Sequence, residues 1–318
     1  MLDKRRIGFK AQALLKEYLI FIVFGVIFII FSILLAKTGF LSLGNLMNVA
    51  RQATPIAIMA IGITFVLCTG EIDLSIGSTV ALSSVITAML LRDFNIYVAL
   101  LGGLSIGAII GLINGLLTTK LKIPSFLVTL GMMSILLGIA RWITDIKPIS
   151  VTNKAFIFIF GLGTIGRIPL LLIWTLLAMA IGQVVLKKTT FGRKVYAVGG
   201  NIIAAKYTGI NVDLLKIKVF IISGVLASLA GMVYAGRLQG ARYDLGADDP
   251  LVVIAAAVIG GTSLFGGKGT AIGAVLGAII LGVINNGIIL LGLSLDQQII
   301  ARGSIIIIAV AFGARSEA

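Results

Sequence analysis

The chain has no histidine and a single cysteine, Cys68. Without histidine it lacks the usual protein ligand of catalytic metals and the side chain that most often exchanges protons near neutral pH. One cysteine cannot form an intrachain disulfide. The sequence also shows no nucleophile–base arrangement and no metal-spaced cluster. We therefore expect no catalytic residues, no metal site and no enzymatic activity of the chain itself.

Charge is scarce as well. Charged residues make up 12% of the 318 residues and hydrophobic residues 59%, whereas soluble domains carry roughly 25% charged residues. Runs such as YLIFIVFGVIFIIFSILLA, at 18–36, are long enough to cross a membrane. They are solidly apolar and lack the alternation typical of barrel strands. The sequence therefore predicts an all-α polytopic membrane protein, with one transmembrane domain over 1–318.

The basic residues predict how the spans are oriented. The net charge is +14, but Lys and Arg are scattered between apolar runs, which indicates oriented loops rather than a nucleic-acid surface. Most of them lie in the N-terminal segment 1–17 and in alternate loops, and cytoplasmic loops carry such an excess. Both termini are therefore predicted to be cytoplasmic. The ten predicted spans are about 18–36, 53–69, 74–91, 97–119, 123–140, 168–186, 219–236, 250–267, 270–292 and 298–314.

A segment recurs in the two halves of the chain. GAIIGLING, which begins at Gly107, returns as GAIILGVINNG, which begins at Gly277, and the repeat pairs Asn114 with Asn286. The two copies fall on spans of opposite predicted direction. This pattern predicts a five-helix inverted-topology repeat, which in transporters encloses a path at the repeat interface.

Glycines recur four residues apart in the first copy of this segment and at the start of the second. Gly107 and Gly111 form one such pair, and Gly273 and Gly277 form another. Small residues at this spacing let the backbones of membrane helices approach closely. We expect close helix packing at both places.

Two glycine-rich strings resemble nucleotide-binding motifs but lack the required context. GLGTIG at 161–166 precedes a predicted membrane span and has no acidic residue about twenty positions later, as a dinucleotide site needs. TSLFGGKGT at 262–270 has Gly269 where a phosphate loop would hold magnesium through Ser or Thr. The second string predicts a tight turn at the membrane face, and the chain is expected to bind no ATP.

The longest and most basic inner loop spans about 187–218 and contains a short helix. Gly199 and Gly200 allow a sharp turn, Asn201 is a good N-cap, and Gly209 is suited to follow the last helical residue. Such a helix is either a membrane-surface anchor or a docking site for a partner. Ala204 and Ala205 are expected to be exposed, and such small residues favour docking, because anchors prefer large aromatic residues and Leu.

TGEIDLSIGS, at 69–78, places Glu71 and Asp73 between two apolar runs. A carboxylate facing lipid costs about 2.5–3.5 kcal/mol or more, so exposure to lipid is excluded. The pair could line a solute path, or bind a proton or cation. In the third interpretation Asp73 is the N-cap of a helix that begins near Leu74, with Ser75 nearby.

The strings GEIDLSIGS, AVGGNIIAAKYTGIN and VIGGTSLFGGKGTAIGAVLGAIILGVINNGIILLG resemble, in this order, the permease subunits of ribose/galactose-type ABC sugar importers. The resemblance covers roughly 45–312. It implies a homodimer in the cell inner membrane, a cytoplasmic ATPase that uses ATP and Mg, and a periplasmic or lipid-anchored binding protein. It also implies that the helix at 199–210 is the coupling helix. The coupling residues would be Gly199, Gly200, Asn201, Ala204, Ala205, Gly209 and Ile210.

The sequence departs from the family at two places. Glu71 stands where the family has glycine, and Pro250 stands where it tends to have glutamate. Asp248 and Asp249 lie just upstream and could replace the lost charge. These departures leave the identity of the sugar open.

The resemblance implies passage of a monosaccharide, ribose-like or a hexose, by alternating access. An ABC permease for another polar solute, such as a nucleoside or autoinducer-2, and a stand-alone ion-coupled carrier are the alternatives. A buried asparagine could equally link helices through hydrogen bonds. The residues expected to line the path are Asn114, Phe126, Thr129, Asn285 and Asn286.

Overall fold

The computed structural model describes residues 25–315, so the segment 1–17 and the start of the first predicted span lie outside the described residues. Nearly all of the described chain is helical. The helices are α1 (Gly25–Leu34), α2 (Leu43–Cys68), α3 (Ile76–Asp93), α4 (Ile96–Lys120), α5 (Ser125–Thr144), α6 (Lys154–Ile157), α7 (Leu170–Lys188), α8 (Thr190–Gly200), α9 (Ile202–Tyr207), α10 (Val212–Leu238), α11 (Pro250–Ile259), α12 (Ala271–Leu290) and α13 (Leu295–Arg315).

Short non-α elements lie at one end of the bundle. A π-helical turn covers Phe158–Leu162. Strands β1 (Ile149–Ser150) and β4 (Gly240–Ala241) pair antiparallel, with Ile149 opposite Ala241, and β2 (Thr164–Ile165) pairs with β3 (Ile168–Pro169) in a hairpin. The predicted dinucleotide-like string therefore lies in a turn and hairpin.

Side-chain caps fix where several membrane helices begin. Ser42 accepts a hydrogen bond from the backbone of Asn45 at the start of α2, Asn95 caps α4, and Thr270 caps α12. Each cap satisfies an N–H group that has no partner within the helix. The polar residues between apolar runs thus set the helix boundaries.

The centre of the bundle is the pair α2 and α10. A Cβ added to Gly62 on α2 would stand 3.2 Å from Cα of Ser223 on α10, so the two backbones approach closely. Helix α4 packs on α10 in the same way, with Gly107 against the carbonyl oxygen of Gly224 and Gly111 against that of Phe220. The predicted close packing at the four-residue glycine spacing is confirmed for α4.

It is confirmed for α12 too. Gly273 lies against the carbonyl oxygen of Gly260, and Gly277 against that of Ala256. Helix α12 also packs on α2, as α4 packs on α10. These matched contacts agree with an inverted repeat of two five-helix units, which stays a prediction.

Seven helices in the described part of the chain are long and apolar enough to cross a membrane, and they coincide with seven of the ten predicted spans. The predicted eighth span is wrong as a continuous helix. Its helical part, α11, has 10 residues and is about 15 Å long, half of a bilayer core of about 30 Å. Gly261, Gly266 and Gly267 follow with positive φ angles, which end the helix in turns. The predicted tenth span falls within α13.

The packing of α4 on α10 leads to a prediction. Gly111→Ala places a methyl group against the backbone of Phe220 and Ile221, and backbone atoms cannot rotate away. We expect destabilisation of about 1–3 kcal/mol, typical of overpacking, measured as a lower midpoint of thermal unfolding in detergent. Gly303→Ala, on α13, is the matched control, because nothing lies within 4 Å of a Cβ there. Equal midpoints for the two variants would contradict the described α4–α10 contact.

Candidate functional site

The acidic motif is an extended connection between α2 and α3. Residues 69–75 form no helix, and Gly70 has a φ of 77°. Two side chains of α5 hold the extended segment: Ser125 Oγ accepts from the N–H of Ile72 at 3.1 Å, and Thr129 Oγ1 accepts from the N–H of Leu74 at 3.1 Å. The backbone groups that a continuous helix would satisfy are thus satisfied by α5.

Asp73 is the buried centre of this connection, with 2% of its surface exposed. Its Oδ1 accepts from the N–H of Ser75 at 3.0 Å and from the Ser75 hydroxyl at 2.6 Å, and its Oδ2 accepts from Ser223 Oγ at 2.9 Å. Asn114 Nδ2 donates to Ser75 Oγ at 2.8 Å. The network therefore joins the connection to α4 and α10.

The predicted N-cap role of Asp73 is wrong. Helix α3 begins at Ile76, and its N-cap is Ser75, whose side chain makes no capping bond. The physical reason is that α5 keeps Ile72 and Leu74 extended, so the helix begins later. Asp73 instead closes a turn onto the N–H two residues ahead, as Asp commonly does.

Glu71, where the resemblance predicts glycine, forms an ion pair with Lys216 near the start of α10. The two side chains are 13% and 14% exposed. They lie at a cavity of about 540 Å³ whose wall also contains Lys122, Lys206 and Asp213. The pair fixes the acidic connection to the helix that follows α9.

The predicted coupling helix is α9, and its caps are as predicted. Asn201 Oδ1 accepts from the N–H of Ala204 at 2.9 Å, and Gly209 has a φ of 80°. Ile210 packs against the core beyond the helix. The two glycines before α9 are the last residues of α8.

Gly199 is the closest contact of this segment with the membrane helices. A Cβ at Gly199 would collide with the carbonyl oxygen of Cys68 and the amide of Gly267, which are hydrogen-bonded to each other at 3.0 Å. Gly200 has open space around it, so its packing does not require glycine. Tyr196 Oη donates to the carbonyl oxygen of Gly269 at 2.7 Å. Helix α8 therefore rests on the end of α2 and on the glycine-rich turn.

The expectation that Ala205 is exposed is wrong. Ala205 is 3% exposed, while Ala204 is exposed. The reason is the helical period, which turns Ala205 toward the protein. The outward face of α9 carries Ile203 and Tyr207, 68% and 89% exposed. Apolar residues four apart share one helix face, and this spacing is the sequence signal that could have found them.

The five predicted path residues do not form one site. Asn114 and Thr129 are buried beside the acidic connection, and Phe126 is exposed. Asn286 exchanges two side-chain hydrogen bonds with Asn45, at 2.9 and 3.0 Å. That exchange ties α12 to α2, so for Asn286 the helix-linking alternative is the one observed.

Asn285 lines a second cavity, of about 280 Å³, between α2, α10, α11, α12 and α13. Sequence reasoning did not find its other polar residues. The sequence signal that could have found them was the presence of Arg237 and Arg302 beside or within predicted membrane spans, because ionisable residues there mark functional sites. Asp249 faces this cavity, whereas Asp248 is exposed. The polar side chains on its wall are Gln52, Tyr234, Arg237, Asp249, Asn285 and Arg302.

Within residues 25–315, no group of three or more Cys, Asp or Glu side chains is placed to hold a metal ion. The arrangement therefore offers two polar cavities at opposite ends of the bundle. The first cavity has Ile202 and Lys206 of α9 on its wall and lies at the end where Gly199 contacts α2, next to the buried carboxylate network.

Comparison with known proteins gives a consistent result. The family model described as the permease component of branched-chain amino acid transport systems matches residues 45–310. The ribose import permease protein RbsC of Haemophilus influenzae is 38% identical, over 98% of this chain and 97% of that protein. RbsC of Bacillus subtilis is 39% identical, over 90% and 89%. The galactose/methyl galactoside import permease protein MglC of Escherichia coli is 38% identical, over 93% and 95%. No solved structure matches the chain.

The ion pair of Glu71 and Lys216 gives a second prediction. Glu71→Gln leaves the half-buried ammonium group of Lys216 without its partner and is expected to cost about 1–3 kcal/mol. Replacing both residues, with Glu71→Gln and Lys216→Met, removes the stranded charge and should recover most of that loss. Thermal unfolding of the purified protein measures both. A double variant no more stable than Glu71→Gln alone would show that the two residues act separately.

Proposed function

The chain belongs to the permease family of ABC-type import systems, and on this premise we propose that it passes a monosaccharide, a pentose or hexose, across the inner membrane. The relatives named above are ribose and galactose import permeases. The observation that carries the proposal is α9, a capped helix that presents an apolar pair to solvent while its other face packs on the bundle.

The exposed pair of α9 is proposed to bind a separate cytoplasmic ATPase. Ile203 and Tyr207 form a small apolar patch, and Lys206 lies beside this patch on the exposed side of the helix. An apolar helix face that fits a groove is a common recognition mode. ATP and Mg are used by that partner, and no cofactor is bound by this chain.

The contacts of α8 and α9 support alternating access as the mechanism. Gly199 touches the end of α2, and α10 begins directly after α9 and carries Lys216. A displacement of the coupling segment by the ATPase would therefore reach α2 and α10, the central pair of the bundle. The Glu71–Lys216 pair would carry the same displacement to the acidic connection.

The orientation, the binding protein and the oligomeric state are proposed from membership of the family. We propose that α9 lies on the cytoplasmic side with both termini, and that a periplasmic or lipid-anchored binding protein delivers the sugar at the opposite side. We also propose a homodimer. The surface of α5 supports it, since Ile135 and Trp142 are exposed and Gly131 and Gly138 have open space around them.

Another polar solute, such as a nucleoside or autoinducer-2, is the alternative for an importer of this build. An ion-coupled carrier is less well supported. Asp73 accepts three hydrogen bonds from Ser75 and Ser223, which use three of the roughly four acceptor positions of a carboxylate. The names of the three relatives given above favour the sugar.

The energy source separates the two classes of transporter. We expect the reconstituted complex of permease, ATPase and binding protein to take up D-ribose or D-galactose only with ATP, at rates at least tenfold above those without it. Uptake of labelled sugar into proteoliposomes measures this. Uptake by the permease alone, driven by a proton or sodium gradient, would overturn the proposal in favour of a carrier.

The docking face of α9 gives a more local test. Tyr207→Asp puts a charge on the apolar face and should abolish co-purification of the ATPase and lower uptake at least tenfold. Tyr97→Asp is the matched control, because Tyr97 is also highly exposed but lies at the opposite end of α4 from α9. If the ATPase co-purifies with both variants alike, the assignment of α9 as the docking helix is wrong.

A further inference from the structure

The second cavity lies far from the ATPase-docking helix. Gln52 stands 16 residues before Cys68 on α2, which is about 24 Å of helix, and Cys68 is the residue that Gly199 contacts. Arg237 is likewise in the last turn of α10, the helix that begins beside α9. The cavity therefore belongs to the side from which a delivered solute would enter.

Some of its polar groups bond to one another. Tyr234 Oη donates to Asp249 Oδ2 at 2.7 Å, and Arg302 Nη2 donates to Asn285 Oδ1 at 3.2 Å. The Arg237 guanidinium lies 5.5 Å from the centre of the Tyr234 ring, and its Nη1 reaches the carbonyl oxygen of Arg51 at 3.4 Å. These contacts orient the wall.

Other polar groups on the same wall have no hydrogen-bond partner among the described residues. Within the part of the chain that the structure describes, the Gln52 side chain makes no hydrogen bond, and neither do Asp249 Oδ1 and Asn285 Nδ2. They comprise a carboxylate acceptor, an amide donor and a glutamine that offers both. A half-buried amide without a partner is costly unless water or a ligand bonds to it.

This combination of groups fits a neutral ligand with several hydroxyls. Each hydroxyl both donates and accepts, and the unused groups supply both functions. The Asp249 carboxylate disfavours an anion, and the two guanidinium groups disfavour a cation. The rest of the wall is apolar, with Ile56 and Leu281, and could face the C–H surface of a sugar ring. The volume of about 280 Å³ is near the lower end for ligand pockets, about 300 Å³, as a small ligand requires.

We propose that this cavity is the site at which the permease receives the monosaccharide, with Gln52, Asp249 and Asn285 contacting its hydroxyls. This inference deepens the proposed function and rests on it. The contacts are few, which suits a transporter, because a transported solute must also leave.

Gln52 is the most informative position, since its side chain holds no other part of the described structure together. In the reconstituted complex with saturating binding protein, Gln52→Leu is expected to lower uptake of D-ribose or D-galactose about tenfold. Assembly with the ATPase and the midpoint of thermal unfolding should be those of wild type, which separates a binding defect from a folding defect. Asp249→Asn is the second variant, with the same expected pattern. Ile181→Leu, at an exposed position of α7 outside the cavity, is the control and should transport normally.

Direct occupancy is tested with Gln52→Cys. A membrane-impermeant methanethiosulfonate reagent should label it at least threefold more slowly in millimolar D-ribose or D-galactose than in sucrose. Leu41→Cys, at an exposed position, should show no such protection, and the unaltered chain, whose Cys68 is buried, gives the background.

The following results distinguish a failure of this inference from a failure of the proposed function on which it rests. A wild-type complex that takes up neither sugar with ATP overturns the proposed function. A wild-type complex that transports, with Gln52→Leu and Asp249→Asn equally active, overturns the assignment of the cavity alone. Failure of both sugars to protect Gln52→Cys overturns it as well.

Discussion

Backbone contact between helices is the constraint on which the rest of this structure depends. Lipid gives apolar helices little reason to associate, so close van der Waals packing must hold them. Gly62 on α2 and Gly107 and Gly111 on α4 each bring a backbone against α10. The central helices are therefore held by contacts that a single methyl group would disturb. Their relative positions are therefore tightly defined.

Polar chemistry in the bundle occurs where this regular packing is interrupted. The connection at 69–75 leaves helical geometry, and α5, α10 and Asn114 supply the bonds that its backbone and Asp73 need. The chain breaks again at α11, a half-length helix whose start bears Asp249. The break at 69–75 lies toward α9, and the break at α11 borders the second cavity. The acidic residues are thus tied to the irregular segments, where hydrogen bonds to protein replace hydrogen bonds to water.

Local chemistry in the sequence was sufficient for some of these features and not for others. The apolar runs, the glycine spacing on α4 and α12, and the caps Asn201 and Gly209 depend on neighbours along the chain, and they were predicted. The direction of Ala205 depends on what lies under α9. An apolar stretch such as 250–267 looks the same whether it forms a full span or a half-helix with a turn. The residues that line the second cavity come from five helices that are far apart in sequence, so no sequence motif predicts this cavity.

The exposed pair on α9 has a consequence for the subunit before assembly. Ile203 and Tyr207 are held outward by a rigid, capped turn whose other side is packed, so they cannot fold back against the bundle. On the proposed cytoplasmic placement of α9, an unassembled subunit would display this apolar surface to the aqueous phase, and exposed apolar surface is what chaperones and proteases recognise. Ile203 and Tyr207, which would transmit force in the assembled transporter, would also make an unassembled subunit recognisable to chaperones and proteases. Synthesis of the permease and its partner in matched amounts would then be a requirement set by surface chemistry.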